Sequence, residues 1–324
     1  MEKVKAVAGI DIGGTSTTFG FVDRSGKILA GGQIITSQYD KPESFVAALY
    51  EKMMITAQNP DYDIEILGFG IGAPMGNINK GTIEYAANLP WKGIVPLADL
   101  FARHTPLPVI VTNDANAAAV GEMVFGGARG MKNFVVITLG TGLGSGFVVD
   151  GKLVYGHDGF AGELGHTTIR PGRSDRDCGC GRKGCLETYV SATGLKRTVL
   201  QLMAERLDDS ELRKLSFEEL DSKLICEAAR RGDPIALEAF EQTGAMLAFS
   251  LANVTVHTNP EAIFLFGGLA LAGELIFEPT RRHLEEDILY IYRGRVKLLP
   301  SELSTQNAAV LGASSLVWFE LETA

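Results

Sequence analysis

The sequence has no surplus of positive charge: its 324 residues include 30 Lys and Arg against 39 Asp and Glu, for a formal net charge of −9. An acidic surface repels nucleic acids and anionic membranes, so we expect neither as a partner. It also disfavours inorganic polyphosphate as a ligand, because a polyphosphate chain requires a track of basic residues.

The sequence also has no long apolar segment. No apolar core of a signal peptide follows the charges of the N-terminus, and the longest uncharged stretch, residues 244–260, contains Ser, Asn, Thr and His and predicts a buried helix. These absences predict a cytoplasmic protein whose four cysteines are reduced. The 46% hydrophobic composition supports a large core, and the length allows two domains.

A short pattern occurs twice, although no low-complexity linker divides the chain. Residues 11–30 read DIGGTSTTFGFVDRSGKILA, and residues 139–156 read LGTGLGSGFVVDGKLVYG. Both follow the order strand, Gly/Thr loop, Gly-Phe-Val strand, Asp turn, Gly-Lys, strand. Two copies of one supersecondary unit predict two similar domains that face each other.

Apolar runs alternate with helical patterns along the chain, which indicates an α/β fold. Strands are predicted at residues 7–12, 66–71, 109–112, 134–139 and 262–266. Helices are predicted at residues 42–58, 115–125, 186–203, 217–230 and 234–256, with an amphipathic last helix at about 306–319. Since no linker is present, we expect a hinge of packed elements near Asn113 and again near Ser304.

Two glycine-rich loops follow predicted strands and offer groups that bind phosphate. Backbone N–H groups of glycine approach phosphate oxygens closely, and the acid of the first loop offers a ligand for Mg²⁺. Each loop alone is better explained as a hairpin turn, whereas both together favour a clamp on a triphosphate. The candidate ligands are Asp11, Gly13, Gly14 and Thr15 in the first loop and Gly140, Thr141 and Gly142 in the second.

Two further segments have a plain and a functional interpretation. Gly267 and Gly268 follow the predicted strand FLF, either as a strand-to-helix turn or as contacts to a nucleoside. Asp114 follows the strand VIVT where a helix begins, either as the helix N-cap or as a general base. In the second case Asp114 takes the proton of a hydroxyl nucleophile and Asn113 holds a neighbouring hydroxyl.

The most specific local pattern is a histidine followed by three closely spaced cysteines. His166, Cys178, Cys180 and Cys185 form a Cys₃His set, which is typical of structural zinc because four protein ligands leave no open position. Free thiols or a disulfide are the alternatives, and a reducing compartment disfavours the disulfide. The remaining Cys226 lies on an apolar helix face and is predicted to be a core residue.

Two acids flank the metal-ligand pattern. Glu163 precedes His166 by three residues, and Glu187 follows Cys185 by two. A bound zinc would fix both carboxylates, which suit a polyhydroxylated ligand because each accepts hydrogen bonds from hydroxyl groups. His166 itself could bind metal through one ring nitrogen and donate to a hydroxyl through the other.

With these motifs the chain resembles the ROK family of bacterial sugar kinases and related repressors, within the actin/hexokinase-like ATPase superfamily. The resemblance covers nearly the whole chain and is carried by the two glycine loops and by GFAGELGH at residues 159–166 with the following cysteines. It implies a duplicated actin-like (ribonuclease H-like) α/β fold with two domains around a central cleft. The domains expected are residues 1–112 with 305–324, to which the last helix returns, and residues 113–304 with the zinc loop.

The resemblance also implies an activity and the residues that perform it. It implies Mg-ATP as donor, structural zinc, Asp114 as catalytic base, and a homodimer or homotetramer. The segment NLPWK at residues 88–92 resembles that of ROK glucokinases, so phosphorylation of glucose at O6 is expected. N-acetylmannosamine, N-acetylglucosamine, allose, mannose and fructose are the alternative acceptors. The sugar ligands implied are Asn88, Asn113, Asp114, Glu163, His166 and Glu187.

Two non-enzymatic functions are the competing hypotheses. A sugar-sensing ROK repressor carries a helix-turn-helix domain before the first phosphate loop, whereas ten residues precede Asp11 here, so we expect no such domain. A sugar-binding or chaperone-like ATPase is disfavoured because a base, a Mg²⁺ carboxylate and a zinc-braced pocket occur in one chain.

Overall fold

Two five-stranded sheets with the same topology form the centre of this computed structural model, which describes residues 3–58, 61–172, 175–303 and 307–323. The strands are β1 (Lys3–Ile12), β2 (Thr17–Asp23), β3 (Ile28–Ile34), β4 (Asp63–Gly72), β5 (Gly76–Asn77), β6 (Thr82–Glu84), β7 (Ile94–Val95), β8 (Val109–Thr112), β9 (Phe134–Leu139), β10 (Leu143–Val149), β11 (Lys152–Leu153), β12 (Ala262–Phe266) and β13 (Lys297–Pro300). The α-helices are α1 (Pro42–Ala57), α2 (Leu97–Ala102), α3 (Asp114–Val124), α4 (Ala192–Glu205), α5 (Ser222–Arg230), α6 (Pro234–Thr258), α7 (Glu274–Asp287) and α8 (Ala308–Thr323).

The repeat seen in the sequence is a repeat of sheet topology. The first sheet has the order β3-β2-β1-β4-β8 and the second β11-β10-β9-β12-β13. In each sheet the first three strands form an antiparallel meander, and the two strands beyond the central one are parallel to it. The duplicated α/β architecture expected from the sequence is therefore present in the structure.

A small antiparallel sheet of β5, β6 and β7 lies between β4 and β8 in the chain. Its strands have two or three residues each, and the sequence analysis did not predict them. Asn88 lies in the segment between β6 and β7, so the small sheet fixes both ends of that segment.

The predicted strands all occur, but two predicted helices begin too early. Residues 186–188 form a 3₁₀ turn, and α4 begins only after Ser191, whose hydroxyl accepts a hydrogen bond from Gly194 N. Likewise α5 begins after Asp221, whose carboxylate caps Leu224 N, and not at residue 217. In both cases a capping side chain fixes the start, because it satisfies a helix N–H that would otherwise have no partner.

The last helix is buried nearly all around, so its predicted amphipathic character is wrong. Residues 310–318 are buried throughout, with Val317 and Trp318 packed against Val7 of the first sheet. A Cβ atom on Gly70 would lie 1.9 Å from the carbonyl oxygen of Ala313, so glycine is required where α8 crosses β4. On its other side α8 contacts α3, where Gly312 and Gly121 allow the two backbones to approach.

Each sheet has its own main core cluster, and α3 connects them. Ile10, Phe45 and Phe69 belong to the cluster of the first sheet, whereas Ile137 and Leu265 belong to that of the second. The chain leaves the first sheet at Asn113, where a hinge was predicted, and α3 then packs on β10 of the second sheet. The return crossing predicted near Ser304 lies outside the described residues.

Among the described helices, none has both the length and the apolarity that a membrane crossing requires.

Candidate active site

Asp114 lies at the junction of β8 and α3, and its carboxylate is not used as the helix cap. The N-cap is Asn113, whose Oδ1 accepts a hydrogen bond of 2.7 Å from Asn116 N. Asp114 accepts from the adjacent Ala115 N, at 2.9 Å, and makes no capping bond to the next turn of the helix. Of the two interpretations of this segment, capping therefore belongs to Asn113, and the Asp114 carboxylate remains available to a ligand.

Asp114 and most of the predicted site residues line one cleft of about 640 Å³. The second glycine loop forms one part of its wall. Residues that flank the small sheet, the start of α3, the ends of β9, β10 and β12 and the histidine–cysteine region contribute the other parts. The predicted site residues in this lining are Asn88, Asn113, Asp114, Gly140, Thr141, Gly142, Glu163, His166, Glu187 and Gly267.

The first glycine loop is close to this cleft but does not contribute to its lining. A Cβ atom on Gly14 would lie 2.2 Å from the carbonyl oxygen of Asn88, so the loop contacts the segment that carries that residue. Asp11 is near enough to Asp114 for the two charges to interact. The loop therefore places Asp11 beside the candidate base and Gly14 against the segment of Asn88.

Both glycine loops are also hairpin turns, as the plain interpretation predicted. Gly13 N donates to Ser16 O at 3.0 Å in the turn between β1 and β2, and Gly140 N donates to Gly142 O at 3.0 Å between β9 and β10. A hairpin turn leaves other N–H groups free to face a ligand, so the two interpretations are compatible.

Three carboxylates near the cleft are difficult to ionise together. Burial raises the pKa of Asp11 to about 6, and the charge of Asp114 contributes to that rise. Burial also raises the pKa of Asp114 and that of Glu163. Asp114 and Glu163 both remain reachable from the cleft, so protein encloses them on one side while a ligand has access on the other. Such a site favours a cation or hydroxyl donors that stabilise the charged forms.

Glu187 connects the second glycine loop to the cysteine cluster. Its Oε2 accepts from Leu143 N at 3.0 Å, and its Oε1 lies 3.8 Å from Cys178 Sγ. A Cβ atom on Gly142 would lie 2.3 Å from the same Oε2, so a larger residue in the loop would displace the carboxylate. The start of α4 holds the loop as well, since Ala192 N donates to Gly140 O at 2.9 Å.

The histidine and three cysteines predicted as metal ligands meet in space. One ligand atom from each of His166, Cys178, Cys180 and Cys185 lies within 4.8 Å of the others. The distance from His166 Nδ1 to Cys178 Sγ is 3.6 Å, and that from Cys180 Sγ to Cys185 Sγ is 3.8 Å. A tetrahedron with Zn–S of ~2.3 Å and Zn–N of ~2.0–2.1 Å has edges of about 3.8 Å and 3.6 Å, so zinc fits these donors. Cys180 and Cys185 are too far apart for a disulfide, which requires ~2.05 Å, and all three cysteines of the cluster are free thiols.

His166 belongs to both the cysteine cluster and the cleft. Its Nδ1 faces Cys178, and the residue also lines the cleft. This position leaves its Nε2 as the nitrogen that a ligand in the cleft could reach, as the sequence interpretation required. The fourth cysteine, Cys226, packs against the core of the second sheet, as predicted.

The sequence analysis missed two polar residues of the cleft. Ser145 lines it, donates to Gly162 O and accepts from Leu164 N at 3.2 Å, so its hydroxyl fixes both backbone neighbours of Glu163. Thr138 also lines it and accepts from Gly144 N at 3.1 Å. The signal for both was small polar residues in otherwise apolar strands beside the second glycine loop.

Asn77, also missed, links the small sheet to the loop that leads to Glu163. This asparagine is fully buried, and its Nδ2 donates to Asp158 O at 2.7 Å. Its Oδ1 accepts from Asn79 N at 3.0 Å, and Gly159 packs against the same oxygen. Asn77 thus joins the two walls of the cleft that carry Asn88 and Glu163.

The repeated sheet topology and the cleft between glycine loops define an actin-like ATPase fold of the kind found in sugar kinases. The chain belongs to the ROK family, whose family model matches residues 7–319.

Known proteins similar to this chain include enzymes and regulators. A glucokinase of Halalkalibacterium halodurans is 37% identical over 284 residues, which cover 86% of this chain and 84% of that enzyme. The crystal structure of a ROK family glucokinase from Streptomyces griseus in complex with glucose and AMPPNP has a TM-score of 0.79 and 33% identity, covering 96% of this chain and 98% of that one. A xylose repressor of Caldicellulosiruptor bescii is 31% identical over 98% of this chain and 79% of its own length.

Proposed function

We propose that this protein transfers the γ-phosphoryl group of ATP to the O6 hydroxyl of a hexose, with glucose as the preferred acceptor. It is an ATP-dependent enzyme of the hexokinase type, since glucokinases align with it along most of its length. The observation that carries the proposal is the free carboxylate of Asp114 in a cleft shared with five polar residues suited to a sugar and with the second glycine loop.

Asp114 is the proposed general base. It accepts the proton of the acceptor hydroxyl while that oxygen bonds to the γ-phosphorus, the bond from phosphorus to the bridging oxygen breaks, and ADP leaves. Desolvation by the surrounding protein raises the pKa of Asp114 and makes it a stronger base than a fully solvated carboxylate. Asn113, whose amide is held by its capping bond, is the proposed partner of a neighbouring hydroxyl.

Asp11 and the glycine loops are the proposed phosphate site. Bound Mg²⁺ would neutralise charge on the transferring phosphoryl group, and Asp11 would hold it directly or through water. The proposed backbone donors are Gly13 and Gly14 with Thr15 on one side, and Gly140 and Gly142 with Thr141 on the other.

Gly267 and Gly268 are the proposed nucleoside contacts. Both line a largely apolar pocket of about 310 Å³ that adjoins the cleft through Phe266 and Gly267. An apolar pocket beside a phosphate site suits the flat base of a nucleotide.

His166, Cys178, Cys180 and Cys185 would hold the proposed structural zinc. The zinc would close the loop of residues 166–185 and thereby fix His166 and Glu187 at the cleft. The position of Glu163 does not depend on the zinc, because Ser145 holds both of its backbone neighbours through hydrogen bonds.

The preference for glucose depends on residues 88–92. Trp91 is 4% exposed and its indole donates to Tyr39 O at 2.9 Å, so it anchors the segment and does not contact the cleft. Lys92 donates to Leu89 O at 3.2 Å and stabilises the same turn. Asn88 is the residue of this turn that lines the cleft, which supports its proposed role as a sugar ligand.

The arrangement of two lobes and the oligomeric state are proposed from the family resemblance. We expect residues 1–112 with 305–324 and residues 113–304 to act as two lobes that close over the cleft and exclude water. We also expect a cytoplasmic protein without a nucleic-acid or membrane partner. We expect it to form a homodimer or homotetramer, and light scattering of the purified protein would check that oligomeric state.

The test is ADP release from Mg·ATP with glucose, N-acetylmannosamine, N-acetylglucosamine, mannose, allose and fructose supplied separately. Release with glucose alone supports both the reaction and the acceptor. Release with another sugar keeps the reaction and rejects the interpretation of residues 88–92. If folded protein with a full complement of zinc turns over none of them but binds a sugar, the similarity to xylose repressors becomes the better guide.

A further inference from the structure

Glu122 is a buried acid that the proposed reaction does not use. It lies on α3, eight positions after Asp114, and none of its side chain is exposed. Within the described ranges no basic side chain forms an ion pair with it. A buried carboxylate without a cation is costly unless hydrogen bonds satisfy its oxygens.

Three hydrogen bonds from two separate segments satisfy this carboxylate. Oε2 accepts from Gly127 N at 2.9 Å, in the turn that follows α3. Oε1 accepts from the hydroxyl of Ser301 and, at 3.4 Å, from Leu303 N. Glu122 therefore fastens the residues after β13 to the end of α3, across 179 positions of sequence.

The segment that Glu122 fastens is one wall of the proposed nucleoside pocket. Ser301 and Leu303 line that pocket together with Gly267 and Gly268. Ser301 N also donates to Leu265 O at 2.9 Å, so its backbone continues the pairing of β12 with β13 while its side chain reaches Glu122. The pocket is thus connected through Glu122 to the helix whose first residue is Asp114.

We propose that Glu122 is a positioning residue that sets the nucleoside pocket relative to the catalytic base. It touches no substrate in this arrangement and acts through Ser301 and Leu303. The inference rests on the proposed function, because the pocket is assigned to the nucleoside there. The exposed neighbour Glu302 offers a matched control, since it is an acid in the same segment.

The test compares Ser301→Ala, Glu122→Gln and the control Glu302→Ala in steady-state kinetics. Ser301→Ala removes one donor, and Glu122→Gln replaces one acceptor oxygen by a donor NH₂ that repels one of the two segments. We expect the KM for Mg·ATP to rise about five- to tenfold in both variants, as the loss of one hydrogen bond implies. The KM for sugar and kcat at saturating ATP should stay within about twofold of the wild type, and Glu302→Ala should change neither KM.

Titration with AMPPNP separates failure of this inference from failure of the proposed function. A folded wild-type protein without affinity for AMPPNP contradicts the ATP-dependent reaction itself. Normal wild-type affinity together with unchanged affinity in Ser301→Ala overturns the role of Glu122, and so does an equal rise of both KM values. If Glu122→Gln does not fold, Ser301→Ala alone decides, because it leaves the carboxylate and its other two bonds in place.

Discussion

At the scale of single residues, Asn113 caps helix α3 and thereby leaves the Asp114 carboxylate available in the cleft. Two neighbouring polar residues stand where a helix begins, and only one side chain can cap it. Because Asn113 caps Asn116 N, the acid beside it remains free although its backbone starts the helix. The order Asn-Asp therefore matters, and reversing it would place the acid in the cap.

Replacing Asp114 by Asn should remove the proposed base while keeping the shape of the cleft. We expect kcat to fall by at least about 100-fold, the usual contribution of general-base catalysis, whereas sugar affinity changes only a few-fold. Coupled measurement of ADP release and calorimetric titration of sugar would show this. The control is Asp99→Asn, because Asp99 is an exposed acid in the first turn of α2. Near-normal turnover in Asp114→Asn would reject the assignment of the base.

The pKa of Asp11 predicts opposite effects of pH on activity and on stability. Activity should fall as the pH decreases through about 6, because a protonated Asp11 no longer binds Mg²⁺. The folded pKa lies above that of an unfolded Asp, so the folded state binds more protons between the two values and loses stability as the pH rises.

Asp11→Asn should therefore stabilise the protein while inactivating it. In Mg²⁺-free buffer at pH 7.5 we expect its Tm to exceed that of the wild type by roughly 2–4 °C. A thermal melt repeated at pH 4.5 should show a smaller difference, since Asp11 is then largely protonated. A lower Tm in Asp11→Asn at pH 7.5 would mean that burial of this carboxylate does not oppose folding.

At the scale of elements, the structure shows which signals a sequence carries. The five predicted strands are mostly apolar runs, and the ligand set of His166 and the cysteines has a spacing that few other sites share. Helix α7 was not predicted because Pro279 interrupts its helical pattern of apolar residues. Strands β5–β7 were not predicted because they are too short to show the alternation of a strand. Ser145 acts through the backbone of another segment, which no local pattern reveals.

The cysteine cluster should bind about one zinc per chain, as its tetrahedral spacing implies. Cys185→Ala removes a buried ligand, and we expect the bound zinc to fall to near zero and the KM for sugar to rise at least about tenfold. Elemental analysis and sugar titration check the two effects separately. Cys226→Ala should keep its zinc. Full zinc content in Cys185→Ala would show that the four residues are not the ligands.

The contact of α8 with the first sheet should not tolerate an added methyl group at Gly70. The new Cβ atom would lie 1.9 Å from Ala313 O, so the helix must move away from β4. We expect Gly70→Ala to lower stability by about 1–3 kcal/mol or more in chemical denaturation. Gly72→Ala, whose Cβ atom would meet only ordinary contacts of 3.4 Å and beyond, is the control. Equal stability of the two variants would contradict this packing.

At the scale of the whole molecule, the hydrogen bond from Asn77 to Asp158 O holds the two walls of the cleft at a fixed distance. The buried amide joins the small sheet to the loop before Glu163, on the side of the cleft where the sugar is proposed to bind. The proposed nucleoside pocket lies elsewhere, and its wall is held by Glu122. The two ends of the cleft are therefore fixed by separate polar contacts, each missed by sequence patterns because its partners are far apart in the chain.

The two repeated sheets also place chemically different residues at equivalent positions. Asp11 and Thr138 occupy equivalent places, each the second-last residue of the central strand in its sheet. A gene duplication that produced both halves would have started with identical residues there, and their divergence left an acid in one copy and a hydroxyl in the other. If Asp11 holds Mg²⁺ as proposed, only one of the two equivalent positions carries a metal ligand, and a phosphate chain between the two loops would then bind in a single direction.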